Sequence, residues 1–222
     1  MDTRLPSGTP AHVGHGEGAE RGLVVIPDIW GLRPLFSDLC DDLAERTGWW
    51  VASFDPFAGV EMPGADDPDG FDRRVGALRG LDDESLLADA VAAAGATGCD
   101  RVGLVGFCMG GMYALKASST GRFGRIASFY GMIRVPADWE GPGQGQPLEH
   151  LAGRGSTEVM AVVGTEDEWT PPGDVAELER AGVEVVRYEG AGHGFVHDPS
   201  RPAHRREDAE DAWRRVLAFL AG

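Results

Sequence analysis

The 222-residue chain has a single lysine, Lys116, so arginine supplies nearly all of its positive charge. Positive charge is also in deficit. Asp and Glu number 36 against 20 Lys and Arg, which gives a formal net charge of -16 and a pI of about 4.7. Such a balance argues against nucleic acid and against anionic membrane surfaces as partners. It also repels anionic substrates at long range, so an anion site has to be local and built from arginine. Cysteine is scarce and odd in number, with Cys40, Cys99 and Cys108. That count, with no signal-like start, leads to the expectation of reduced thiols in a cytoplasmic protein. No apolar run approaches the length of a membrane span. No internal repeat is visible. The Gly16-Glu17-Gly18 stretch is no phosphate loop, because no strand precedes it and no helix follows. His12 and His15 have no third ligand nearby, so no metal site is expected.

What the chain does have is length for one domain with a real core, and 33 glycines. Residues 1–20 are polar and glycine-rich and read as a loose arm, with one domain over 21–222. Leu23 to Ile26 reads as a buried strand. Pro34 suits the first turn of a helix whose buried face is Leu35, Leu39 and Leu43, and Gly48 ends it. Trp49 to Phe54 is a strand. Residues 58–80 read as loop, including a short basic segment with Arg73 and Arg74. Leu81 to Ala96 is helical, opening with Asp82, Asp83 and Glu84 at the positive end of the dipole. Further on, strands are expected at Arg125–Tyr130, Glu158–Val163 and Val183–Tyr188. Helices are expected at Asp174–Ala181 and Arg205–Ala221, the last with Ala209, Trp213, Val216 and Leu220 facing inward. Residues 134–157 read as an irregular excursion. Strands alternating with helices mean a mostly parallel sheet covered on both faces, a three-layer α/β architecture.

Ligands in such sheets bind beyond the carboxyl ends of the strands. Cys108, Asp28, Asp167 and His193 all fall at such ends. Cys108 lies between an apolar strand, Val102 to Val105, and a helix, Gly111 to Ala117. Gly106 and Gly110 flank it and let strand and helix approach. Gly106-Phe107-Cys108-Met109-Gly110 has the form of a nucleophile elbow with Cys in the place of Ser. The order nucleophile, acid, histidine is then completed by Asp167 and His193. Glu166 and Glu168 flank Asp167 and compete with it as the acid.

These residues resemble the dienelactone hydrolases (carboxymethylenebutenolidases) over roughly residues 22–220. The resemblance rests on "GFCMGG", "GTEDEWTPP", "GAGHGF" and "PDIWGL". It implies an α/β-hydrolase fold and hydrolysis of a small lactone or activated ester by a Cys108-His193-Asp167 triad through a thioester, with no metal and no cofactor. It implies oxyanion donors at Ile29 and Met109, and an acidic residue, Asp28, beside the thiol. Like charge from Asp28 would raise the thiol pKa until substrate drew the carboxylate away. The chain departs from the family in having Asp28 where Glu is usual and His197 where an arginine often binds a substrate carboxylate; Arg73 and Arg74 match only loosely. Trp30, Arg73, Tyr130 and His197 are the candidate substrate contacts. Alternatives are a small-ester esterase or thioesterase, or a ligand-capturing receptor on the same fold. The partner expected is a small molecule, with neither nucleic acid nor membrane; the oligomeric state is not legible.

Overall fold

The structure, a computed structural model, describes residues 1–17, 20–64 and 67–222. Part of the expected arm (18–19), with the last glycine of Gly16-Glu17-Gly18, and part of the expected 58–80 loop (65–66) lie outside the described residues. The described chain gathers into two compact units: Met1–Val102 with Val135–Gly145, and Gly103–Arg134 with Gln146–Gly222. Each has its own set of buried apolar residues.

In the first unit the strands are β1 (Asp2–Arg4), β2 (Pro10–Gly14), β3 (Arg21–Ile26) and β4 (Trp50–Phe54), in the order β1-β2-β4-β3. β3 and β4 are parallel, whereas β1 and β2, and β2 and β4, are antiparallel. Residues 2–14 are therefore a β-hairpin laid on the sheet edge, not a loose arm. The pairing partner of β2 lies some forty residues away, at Val51 to Phe54, so nothing local announces it. His12 pins the hairpin: it is buried, and its ring nitrogens lie 2.7 Å from Asp2 Oδ1 and 2.9 Å from Asp41 Oδ1. Asp41 belongs to α1 (Pro34–Thr47), which has proline at its start and Gly48, at φ 72°, as its cap. Consecutive residues Val51 to Phe54 are all buried, which requires cover on both faces of the strand.

α2 (Gly70–Leu78) and α3 (Asp83–Ala96) complete this unit. α2 corrects the loop expected over 58–80. Gly70 and Gly76 lower its intrinsic propensity, but Arg74 is buried and donates to the carbonyls of Pro63 and Ile29 at 2.8 and 2.9 Å. Tertiary contacts thus hold a helix that propensity would not. α3 is capped by Asp82, whose carboxylate accepts the Ser85 N–H at 2.9 Å, a standard N-cap.

The second unit holds β5 (Arg101–Phe107) from Gly103 onward, β6 (Arg125–Phe129), β7 (Glu158–Gly164) and β8 (Glu184–Tyr188), in that order and all parallel. The connections carry α4 (Met109–Ala117), α6 (Pro172–Arg180) and a short α5 (Pro147–Ala152) inside the stretch read as irregular. α7 (Arg206–Ala221) follows β8, with Ala209, Trp213, Val216 and Leu220 buried as its periodicity requires. Beneath the end of β5, Phe107 stacks on Phe129 at 4.8 Å, and Trp213 lies 5.1 Å from Phe129. The described strands form a mostly parallel sheet accompanied by helices, the α/β architecture expected.

Candidate active site

Cys108 occupies the single residue between β5 and α4, with φ 56° and ψ -118°. Positive φ forces a Cβ-bearing residue into a strained conformation worth about 1–3 kcal/mol. Neighbouring bonds hold it there. The Cys108 N–H donates to the Phe129 carbonyl at 3.0 Å, and the Cys108 carbonyl accepts the Met112 N–H at 3.0 Å. Gly106 is obligatory, since a Cβ there would sit 2.0 Å from the Gly110 carbonyl oxygen. The thiol ends half-buried at the first turn of α4. Met109 opens that helix, so its N–H belongs to the turn whose amides the helix itself leaves unpaired.

Asp167 and His193 come from the loops after β7 and β8. Glu166 and Glu168 are exposed, whereas Asp167 is buried. Asp167 Oδ2 lies 2.9 Å from His193 Nδ1, and its Oδ1 accepts the Trp169 N–H at 2.9 Å. A carboxylate held at both oxygens fixes the imidazole that it grips. His193 also shares a hydrogen bond with Cys108; with Nδ1 turned to Asp167, that bond falls to Nε2. The His193 pKa is raised to about 10: burial works to lower it, but the charge at Cys108, the hydrogen bonds with Asp167 and Cys108, and the Asp167 charge outweigh burial. The imidazole is thereby biased toward its protonated form beside the sulfur.

Tyr130 and His197 were expected to touch substrate. Both are buried in the structure, Tyr130 completely. The Tyr130 hydroxyl bonds to His197 Nδ1, and the Tyr130 ring packs edge-on against His193 at 5.1 Å. The two side chains and the His193 ring thus form one packed cluster. Tyr130 reaches this position at φ 40°, a second strained non-glycine residue close to His193.

Asp28, Ile29, Trp30 and Arg73 belong to the first unit. Asp28 is buried, and Arg33 grips both of its oxygens at 2.6 and 3.0 Å, while the Trp30 N–H donates to Oδ1 at 2.9 Å. Ile29 is buried, with its carbonyl taken by Arg74. Trp30 is half-buried, with the Arg74 guanidinium 5.4 Å from its ring. Arg73 is exposed on α2, so of the adjacent arginines it is Arg74 that holds the loop after β3. Sequence reasoning passed over Arg33 and Trp169. Arg33 could have been found as the only cation within five residues of Asp28; Trp169 carries no such signal. Among the described residues no group of three or more His, Cys, Asp or Glu is placed to hold a metal ion.

The parallel sheet and the elbow at the end of β5 define an α/β-hydrolase fold, and solved structures share it. A Klebsiella pneumoniae protein assigned to the dienelactone hydrolases overlays with a TM-score of 0.84 at 22% identity, over 100% of this chain and 97% of that one. The enol-lactonase of Burkholderia xenovorans overlays with a TM-score of 0.70 at 14% identity, over 100% of both chains. The sequence profile of the dienelactone hydrolase family matches residues 9–222, and the chain belongs to that family of hydrolases. Among curated relatives, a Bradyrhizobium protein described as a probable 2-oxo-3-(5-oxofuran-2-ylidene)propanoate lactonase is 30% identical over 210 residues, spanning 89% of this chain and 82% of that protein. The carboxymethylenebutenolidase of Rhodococcus opacus is 28% identical over 232 residues, spanning 99% and 89%.

Proposed function

We propose that the protein hydrolyses small lactones or activated esters with Cys108 as nucleophile, His193 as acid–base and Asp167 as the orienting carboxylate. The observation that carries this reading is the His193 ring, held by Asp167 at 2.9 Å on one nitrogen and hydrogen-bonded with Cys108 through the other. The names of the relatives, a lactonase and a carboxymethylenebutenolidase, supply the substrate class.

The steps consume one water molecule per ester bond broken. The proton of the Cys108 thiol rests on His193, whose raised pKa favours the imidazolium, and the thiolate so formed adds to the carbonyl carbon. The oxyanion so formed accepts the Met109 N–H; one such donor is typically worth about 3 kcal/mol of barrier. Collapse breaks the acyl C–O bond, and the leaving oxygen takes the proton from His193. The thioester is then attacked by water, whose proton goes to His193. The C–S bond breaks, the acid departs and the thiol is restored. An enol or aryl oxygen leaves easily, which suits a thiol nucleophile; an amide nitrogen does not.

Kinetics of p-nitrophenyl acetate hydrolysis test the proposal. Cys108→Ala is expected to lower kcat by a thousandfold or more, and Asp167→Asn by on the order of 10³ to 10⁴. A single equivalent of nitrophenol with no turnover in the unmodified protein would mean capture rather than catalysis. Turnover surviving Cys108→Ala would remove the nucleophile assignment.

A further inference from the structure

Trp169 stands out beside the candidate triad. Its side chain is 38% exposed in a chain that buries most of its large apolar residues. Its indole lies 6.3 Å from the His193 ring, tilted by 56°. It is also held firmly. Its backbone N–H donates to Asp167 Oδ1, the second oxygen of the carboxylate that grips His193. The following residue, Thr170, is buried and donates its N–H to the Asp167 carbonyl at 3.2 Å. Pro171 and Pro172 then lead into α6, and proline fixes φ at both positions. An exposed indole on a mobile loop would signify little. The backbone that carries this one is tied to the same carboxylate that grips the imidazole, which anchors the base of the indole beside His193.

We infer that Trp169 is a specificity-determining residue that offers its ring face to flat, conjugated acyl groups at the reacting centre, and so selects them over puckered saturated groups of equal size. The inference rests on the hydrolase reading and goes beyond it by naming a residue and the acyl shape that it selects. A large aromatic face favours offset or edge contact with another π system over contact with a saturated ring of the same volume. The rigid loop means that little ordering is needed when such a group binds. A bulky apolar side chain that merely filled space would favour the two shapes alike.

The test uses two esters with one leaving group: p-nitrophenyl benzoate, with a flat acyl ring, and p-nitrophenyl cyclohexanecarboxylate, with a puckered ring of similar size. The measured quantity is the ratio of their kcat/KM values, compared among the unmodified protein, Trp169→Phe, Trp169→Leu and Trp169→Ala. Trp169→Leu and Trp169→Ala are expected to cut the ratio by about three- to tenfold, chiefly through KM for the benzoate, while Trp169→Phe keeps most of it. The rate of Cys108 alkylation by iodoacetamide should stay unchanged in all three variants, which shows that the triad region is intact. Calorimetric binding of free benzoate against cyclohexanecarboxylate, on the unmodified protein and Trp169→Leu, makes the same comparison without catalysis. A ratio that Trp169→Leu leaves unchanged, or a loss equal for both esters, would overturn the inference. Absence of turnover of either ester by the unmodified protein would overturn the hydrolase reading instead, and the binding comparison would still decide the role of Trp169.

Discussion

Cys108 sits at φ 56° because β5 and α4 meet with one residue between them. The chemistry that follows depends on His193. With its pKa raised to about 10, His193 holds its proton through neutral pH and gives it up only as the pH climbs through that region. Removing the sulfur in Cys108→Ala takes away both its charge and its hydrogen bond. Both favour the protonated ring, so the His193 titration should move to lower pH. An NMR titration of the His193 ring protons in the two proteins measures this directly; an unmoved midpoint would mean that the sulfur does not act on the ring. At this scale the sequence showed a good deal. The glycine-framed Cys108 and the His193 between Gly192 and Gly194 are local patterns. The choice of Asp167 over Glu166 and Glu168 was not settled by adjacency, since it turns on which carboxylate the loop buries. The burial of Tyr130 and His197, and the exposure of Trp169, are properties of packing that no residue type declares.

Elements position these residues through close backbone approaches. At the end of β7, a Cβ on Gly164 would lie 2.1 Å from the Ala191 carbonyl oxygen, in the loop that carries His193. Gly164→Ala must therefore push that loop aside. The expected cost is about 1–3 kcal/mol of stability, together with a fall in kcat/KM of about a hundredfold, because a 1 Å misplacement of a reacting group is that costly. Gly192 is next to His193 and has open space around it, so Gly192→Ala should lose far less of both. Denaturant melts and kinetics on the pair separate a misplaced loop from a general sensitivity of the segment. The principal strands and helices were readable because their periodicity is local. The β1–β2 hairpin was not, because its polar, glycine-rich residues are held by pairing with β4 and by His12. α2 was not, because its glycines argue against a helix that the buried Arg74 sustains.

The whole molecule carries its charge unevenly in sign, at -16. An anionic substrate meets long-range repulsion on approach, and salt shortens its reach to about 10 Å at 0.1 M. Raising ionic strength should therefore increase kcat/KM for an ester that bears a free carboxylate, while leaving a neutral ester of the same reactivity nearly unchanged. Stopped-flow rates for such a pair across salt concentrations check this, and a rate that falls with salt for the carboxylate ester would point to a local cationic site that dominates the net charge. The alternation of strand and helix along the chain was the most legible feature at this scale. The gathering of contacts into two compact units was the least legible, since Val135–Gly145 joins the first unit from deep within the second half of the sequence.

The most direct measurement of the central claim is the mass of the acylated protein. After rapid acid quench of a reaction with p-nitrophenyl acetate, peptide mapping should find one acetyl group on the peptide containing Cys108. It should be absent from Cys108→Ala and should disappear on the timescale of turnover. An acetyl group on another residue, or sustained turnover with no adduct on Cys108 at any quench time, would contradict a thioester mechanism at this elbow.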